Sequence, residues 1–293
     1  MGNPGAEVKD SLIEKIAGLR AGDVAVVGLP YDAGSSFRRG ADAAPAAILE
    51  ALHCPSAHLA AESGHDLAAD PRWRSIGDLD LGDESTAHDV IEAGVRRLLE
   101  QDLRTVCLGG DHSVSAPILR AHAPRYPRLT LLQIDSHPDL YDVYEGDRAS
   151  HACPFARVME EGLVARLVQV GVRTLNPIQR AQAERFGVEV IDMRAFHHRG
   201  FDALPAFDGP LYMTIDLDAL DPAFAPGVSH REPGGLSTRE LIDIVQRAEG
   251  QLIGADIVEL NPSRDVHDLT ARVGAKVLKE VLDRLLADSG RAL

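Results

Sequence analysis

Apolar residues in this chain fall into short unbroken runs that recur from end to end. DVAVVGLP (23–30) is followed by RTVCLGG (104–110), RLTLLQID (128–135), RLVQVGV (166–172), VEVIDM (188–193), LYMTIDLD (211–218) and QLIGADIVEL (251–260). Runs of this length are strands, and runs that are continuously apolar rather than alternating belong to strands buried on both faces. Between them lie stretches with apolar residues near helical spacing, such as APAAILEALH (44–53), HDVIEAGVRRLLEQ (88–101) and HDLTARVGAKVLKEVLDRLLA (267–287). Strands separated by helices build a parallel sheet covered on both sides. The pattern shows no repeat, low-complexity tract or linker, so the expectation is one α/β domain over 1–293, long enough for a substantial core.

The chain's charge narrows its partners. Forty-five acidic residues against 30 Lys and Arg give a net charge of −15. That balance argues against a nucleic-acid or anionic-membrane surface and suits a small cationic ligand. The three cysteines, Cys54, Cys107 and Cys153, are odd in number and have no CxxC spacing, so a disulfide framework or thiolate zinc site is not expected. No run approaches the roughly 18 apolar residues of a membrane span. The start, MGNPGAEVKDS, lacks the basic and apolar regions of a signal peptide, and Ala6 stands where a myristoylation motif wants Ser or Thr. The expected compartment is the cytoplasm.

Charged clusters sit where the strand runs end: GGDHSV (109–114), DSHPD (135–139), DLD (216–218) and VELNP (258–262). In a parallel sheet that edge is the functional one. On an extended segment, residues i and i+2 share a side. Asp135 and His137 converge on that basis, Asp139 joins as the chain turns, and Asp216 and Asp218 pair in the same way. By the same alternation Ser136 points away. With His112 the set has two imidazoles and four carboxylates, which would repel and take up protons unless cations neutralised them. Mixed imidazole and carboxylate donors without sulfur suit a borderline or hard ion such as Mn²⁺. Six ligands fit two ions about 3.5–4 Å apart with shared carboxylates. Each piece also has a plainer role. Asp-Leu-Asp alone is a solvated strand end, and Asp111 is a helix-capping oxygen.

The three spaced motifs make the chain similar to the ureohydrolases, the arginases, agmatinases and their relatives, whose hallmark segments look like GGDHS, DAHxD and DxDxxDPAxAPG. Here they read GGDHSV, DSHPD and DLDALDPAFAPG (216–227), and the likeness runs from GLPYDAGSSFRRGADAAPAAI (28–48) to VELNPSRD (258–265). SHACPFARVMEEG (150–162) and APGVSHREPGGLS (225–237) resemble the plant-type arginases most. The resemblance implies a three-layer α/β/α sandwich and two Mn²⁺ per chain. His112, Asp135, Asp139 and Asp216 would hold one ion and Asp135, His137, Asp216 and Asp218 the other, with Asp135 and Asp216 bridging. It implies Asp139 as the group passing a proton to the leaving amine, His151 as a proton shuttle, Glu259 as the carboxylate facing the guanidinium, and His230 in a substrate-side loop. Ser136 departs from the usual Ala. A homo-oligomer, trimer or hexamer, is implied as well.

The expected reaction is hydrolysis of L-arginine to L-ornithine and urea. The alternatives are agmatine to putrescine and urea, another guanidino acid, and a non-catalytic ligand-binding member, which the presence of all six ligands disfavours. LYDVYEGDRAS (140–150) does not resemble the carboxylate-binding loop of animal arginases, and Arg148 within it reads as a solvated loop residue.

Overall fold

The computed structural model describes residues 12–288. The segment on which the leader and lipidation expectations rest, 1–11, lies outside the described residues. The strands are β1 (Val24–Leu29), β2 (Trp73–Asp78), β3 (Arg104–Gly109), β4 (Thr130–Ile134), β5 (Arg166–Val172), β6 (Glu189–Asp192), β7 (Pro210–Asp216) and β8 (Gln251–Val258). They form a single sheet of order β2-β1-β3-β8-β7-β4-β5-β6, and every pairing is parallel.

Both faces of this sheet are covered, as the unbroken apolar runs require. Alternate residues of β1 enter opposite cores: Val24 and Val26 pack with Ile48, Leu241, Val277 and Leu278, whereas Ala25 and Val27 pack with Ile91, Leu98, Ile118 and Phe155. The first layer contains α1 (Ala44–Leu52), α7 (Thr238–Arg247) and α8 (Leu269–Asp288); the second contains α2 (Ala87–Leu99), α3 (Ser115–His122) and α4 (Pro154–Glu160). Two further helices, α5 (Pro177–Phe186) and α6 (Met193–Arg199), flank β6 in the chain. This is the expected three-layer α/β/α sandwich. Among the described residues no helix is long and apolar enough to cross a membrane.

One strand escapes the apolar-run criterion. β2 lies at the sheet edge, pairs only with β1, and buries only Ile76 of its six residues. An edge strand open to water needs no apolar run.

The topology places the site. β3 and β4 follow one another in the chain but are separated in the sheet by β8 and β7. Connections therefore leave in opposite directions there, opening a crevice beyond the carboxyl ends of those four strands.

Candidate active site

The first imidazole is delivered by the turn after β3. A Cβ on Gly110 would stand 1.9 Å from the Tyr31 carbonyl oxygen, so only glycine lets the β3 exit pass the β1 exit this closely. The Asp111 amide then donates to that same carbonyl at 2.8 Å. Its side chain caps the next turn, accepting from the Ser113 N–H at 3.0 Å. Asp111 is thus a cap, and burial pushes its carboxyl up to about 6.

His112 emerges from this turn fully buried. Its Nδ1 lies 3.1 Å from Asp135 Oδ2, 3.1 Å from Asp139 Oδ2 and 3.2 Å from Asp216 Oδ2. None of these contacts has hydrogen-bond geometry, so Nδ1 is a buried nitrogen without a partner. Three carboxylate oxygens crowded around an unpartnered, buried imidazole nitrogen are the donor chemistry of a hard or borderline cation site. A second group gathers beside the first. His137 Nδ1 lies 3.0 Å from Asp218 Oδ2 and 3.6 Å from Asp135 Oδ1. His112, Asp135 and Asp139 could hold one ion and Asp135, His137 and Asp218 another, with Asp135 common to both. The donor set fits two hard or borderline cations, and all six expected residues meet here.

The electrostatics of the ion-free protein express the same crowding. Burial, followed by the charges of Asp218 and Asp135, drives Asp216 well above the carboxylate range. Burial and then Asp135 push Asp139 up to about 6. Burial opposes a charged His112, yet Asp135, Asp139 and Asp216 outweigh it and raise the imidazole well above its usual value.

Ser136 does not point away. β4 ends at Ile134, and the His137 N–H folds back to Asp135 Oδ1 at 2.6 Å. The alternation that would turn Ser136 outward holds only within a strand. Its hydroxyl instead donates to Asp218 Oδ1 at 2.8 Å and lies 2.9 Å from His137 Nδ1.

His151 and Glu259, expected as separate actors, are bonded to each other. His151 Nδ1 and Glu259 Oε1 are 2.9 Å apart, and the same oxygen accepts the His112 N–H at 2.9 Å. Burial disfavours a charged His151, but the adjacent Glu259 prevails and lifts the ring to about 9. On its far side Nε2 lies 2.9 Å from Ser36 Oγ and 3.3 Å from Ser36 N. A protonated Nε2 donates to the hydroxyl; a neutral one accepts the amide N–H. His230 stands alongside, its ring centroid 5.1 Å from His151 and 5.7 Å from His137, and burial lowers its pKa. Asp139 and Glu259 both adopt positive φ, 49° and 66°. A cavity of about 230 Å³ joins these groups to Ser36, Tyr141, Tyr144, Thr174 and Asn176.

Several participants are not apparent from the motifs. Thr214 bonds the far nitrogen of His112, Asp256 lies behind it, and Gln133 Nε2 donates to Asp135 Oδ2 at 2.7 Å. Signals for two of them exist: Thr214 is two residues before Asp216, and Asp256 is a charge inside an apolar run.

The profile of the Arginase family matches residues 22–283. The chain belongs to that family. Its arginase-type fold and chemistry follow: family members hydrolyse guanidino or amidino bonds and depend on two metal ions. The chain is similar to "Arginase 1, mitochondrial" of Arabidopsis thaliana, 41% identical with 96% of this chain and 86% of that protein covered. It is also similar to a guanidinopropionase of Pseudomonas aeruginosa, 35% identical with 92% and 88% covered. Among solved structures, the arginase of Medicago truncatula superposes with a TM-score of 0.88 at 37% identity, covering 96% of this chain and 94% of that one. A hypothetical agmatinase of Burkholderia thailandensis gives 0.81 at 31%, covering 92% and 87%.

These relatives correct the cytoplasmic expectation. The Arabidopsis and Medicago arginases are named mitochondrial, and a second Arabidopsis arginase chloroplastic/mitochondrial, so the names of these relatives stand against that expectation. Unpaired cysteines report a reducing environment, not which reducing compartment provides it.

Proposed function

We propose that this site holds two Mn²⁺ and hydrolyses L-arginine to L-ornithine and urea, with the whole chain acting as one catalytic domain. The observation that carries this is a single cavity in which two His–Asp groups sharing Asp135 face the His151–Glu259 pair. His112, Asp135, Asp139 and Asp216 are assigned to one ion and Asp135, His137, Asp216 and Asp218 to the other. When bound, such a pair of cations supplies a hydroxide nucleophile near neutral pH.

The chain's own groups do the rest. Glu259 commits Oε1 to His151 and to the His112 amide, so Oε2 remains to accept guanidinium N–H groups and fix the planar substrate. Asp139, which lines the cavity, is assigned to take the nucleophile's proton and return it to the departing amine nitrogen as the C–N bond breaks. His151 has a partner on Ser36 in either protonation state, which is what a group exchanging protons with solvent needs. His230 walls the same cavity and is assigned to substrate binding.

Arginine recognition requires donors for an α-carboxylate. Arg148 does not provide them: it is exposed and bound to Asp142 and Glu160. The cavity offers neutral donors instead. Tyr141 Oη accepts from Asn176 Nδ2, leaving its own proton to donate, and Ser36, Tyr144 and Thr174 add hydroxyls. A site built to pair the carboxylate leaves those donors unpaired with agmatine. The relatives named agmatinase and guanidinopropionase keep those substrates as the second reading. Steady-state kcat/KM for both compounds, at equal Mn²⁺ and pH, should favour arginine; a tenfold preference for agmatine would reverse the substrate and leave the metal chemistry standing. Assembly as a trimer or hexamer is proposed from the family resemblance, and sedimentation would check it.

A further inference from the structure

Behind His112 a line of buried polar groups leads away from the reacting centre. His112 Nε2 lies 2.8 Å from Thr214 Oγ1, which donates to Asp256 Oδ1 at 2.6 Å. Ser115 Oγ donates to that same oxygen at 3.2 Å. All four residues are fully buried. Thr214 and Asp256 face each other as register partners on adjacent central strands, so the sheet fixes their spacing.

Counting hydrogens decides the direction of the line. A threonine hydroxyl has one proton, and here it goes to Asp256. Its oxygen can then only accept from His112, so Nε2 carries the imidazole hydrogen. In the neutral imidazole that a cation requires, the lone pair is then left on Nδ1, the buried nitrogen that faces Asp135, Asp139 and Asp216 without a partner. Released from Thr214, the hydrogen would gain by moving to Nδ1, where three carboxylate oxygens attract it, and it would block that position to a cation.

We propose that Asp256, acting through Thr214, is a positioning residue that holds His112 in the tautomer and ring orientation a metal ligand needs. This rests on the two-ion reading of the site. Among the described residues His137 has no equivalent support: its side chain is 26% exposed, and its hydrogen-bond and ion-pair partners lie on the Nδ1 side. The relay therefore acts on one of the two ion positions.

The test is titration of ion-free protein with Mn²⁺, reading free ion by electron paramagnetic resonance, alongside thermal melting of the ion-free fold. Wild type should take two ions. Thr214→Val should fold and lose affinity at one of them by roughly 10–100-fold, the usual effect of removing a group that orients a ligand. Thr214→Ser, which keeps the hydroxyl, should restore it. Asp256→Asn should weaken the same position, and it carries the test if the valine variant does not fold. Ser115→Ala removes a hydroxyl that donates to Asp256 and lies 3.4 Å from Thr214 Oγ1 but does not reach His112. Because Thr214 still links Asp256 to the imidazole, affinity should stay unchanged, which separates the relay from a merely structural cluster. Wild-type affinity at both positions in Thr214→Val, or in Asp256→Asn where that variant carries the test, would overturn the relay. So would an affinity loss in Ser115→Ala equal to that of the variant carrying the test. A wild-type protein that binds no Mn²⁺ would instead overturn the two-ion reading.

Discussion

The pairing of His151 with Glu259 ties proton traffic to substrate holding. Each is identifiable from its motif, but the bond between them is not, because 108 residues separate them. Replacing His151 by Asn should lower kcat by roughly 10²–10⁴-fold, the range for a general acid–base group. Metal content should not change, since His151 touches neither His–Asp group, and metal analysis of the purified variant checks this. KM should shift as well, because Glu259 Oε1 loses a donor and turns more freely toward the guanidinium. An unchanged kcat would remove His151 from the proton path. Ser136 shows how a local rule fails. The i, i+2 argument brings Asp135 and His137 together for the right residues, but it assumes a strand continuing past Ile134, where the chain already bends back on the Asp135 carboxylate.

At the level of elements, most of the sheet is legible because burial on both faces writes itself as an apolar run. β5, over Arg166–Val172, coincides with its run from first residue to last. β2 is not legible, since an edge strand with one buried residue carries no such mark. The site depends on how element ends meet, and the tightest meeting is Gly110 against Tyr31. Gly110→Ala would place a methyl group inside van der Waals contact with a carbonyl that also receives the Asp111 amide. The β1 and β3 exits would have to part, at a cost of about 1–3 kcal/mol by analogy with overpacked cores. At about 2–4 °C per kcal/mol for a chain of this size, calorimetry should show a clear fall in Tm. His112 would move with the turn, so Mn²⁺ affinity should fall in the same variant. A normal melt with normal metal binding would show that the turn yields freely.

Across the whole molecule, the site stores protons when it holds no ions. Asp139 near 6, Asp216 well above the ordinary range and a raised His112 all keep protons that a cation must displace. Raised pKa values mean that lowering the pH adds competitors, so Mn²⁺ affinity should climb as pH rises from about 6 towards 8. Calorimetric titration in two buffers of different ionisation enthalpy should detect proton release at pH 6.5, and its absence would contradict the crowding described here. The order of strands has one more consequence. The two His–Asp groups and Glu259 lie at the ends of β3, β4, β7 and β8, and they are spread from residue 112 to residue 259. A nascent chain exposes Asp135 and His137 long before Asp216, Asp218 and Glu259 exist, so an ion meeting it early finds only a fragment of its cage. Metal thus rewards the finished sheet and gives little to the transition state that precedes it. Refolding from denaturant should run at the same rate with or without Mn²⁺, while unfolding slows in its presence. An ion that accelerated refolding would mean the cage begins to close before the sheet does.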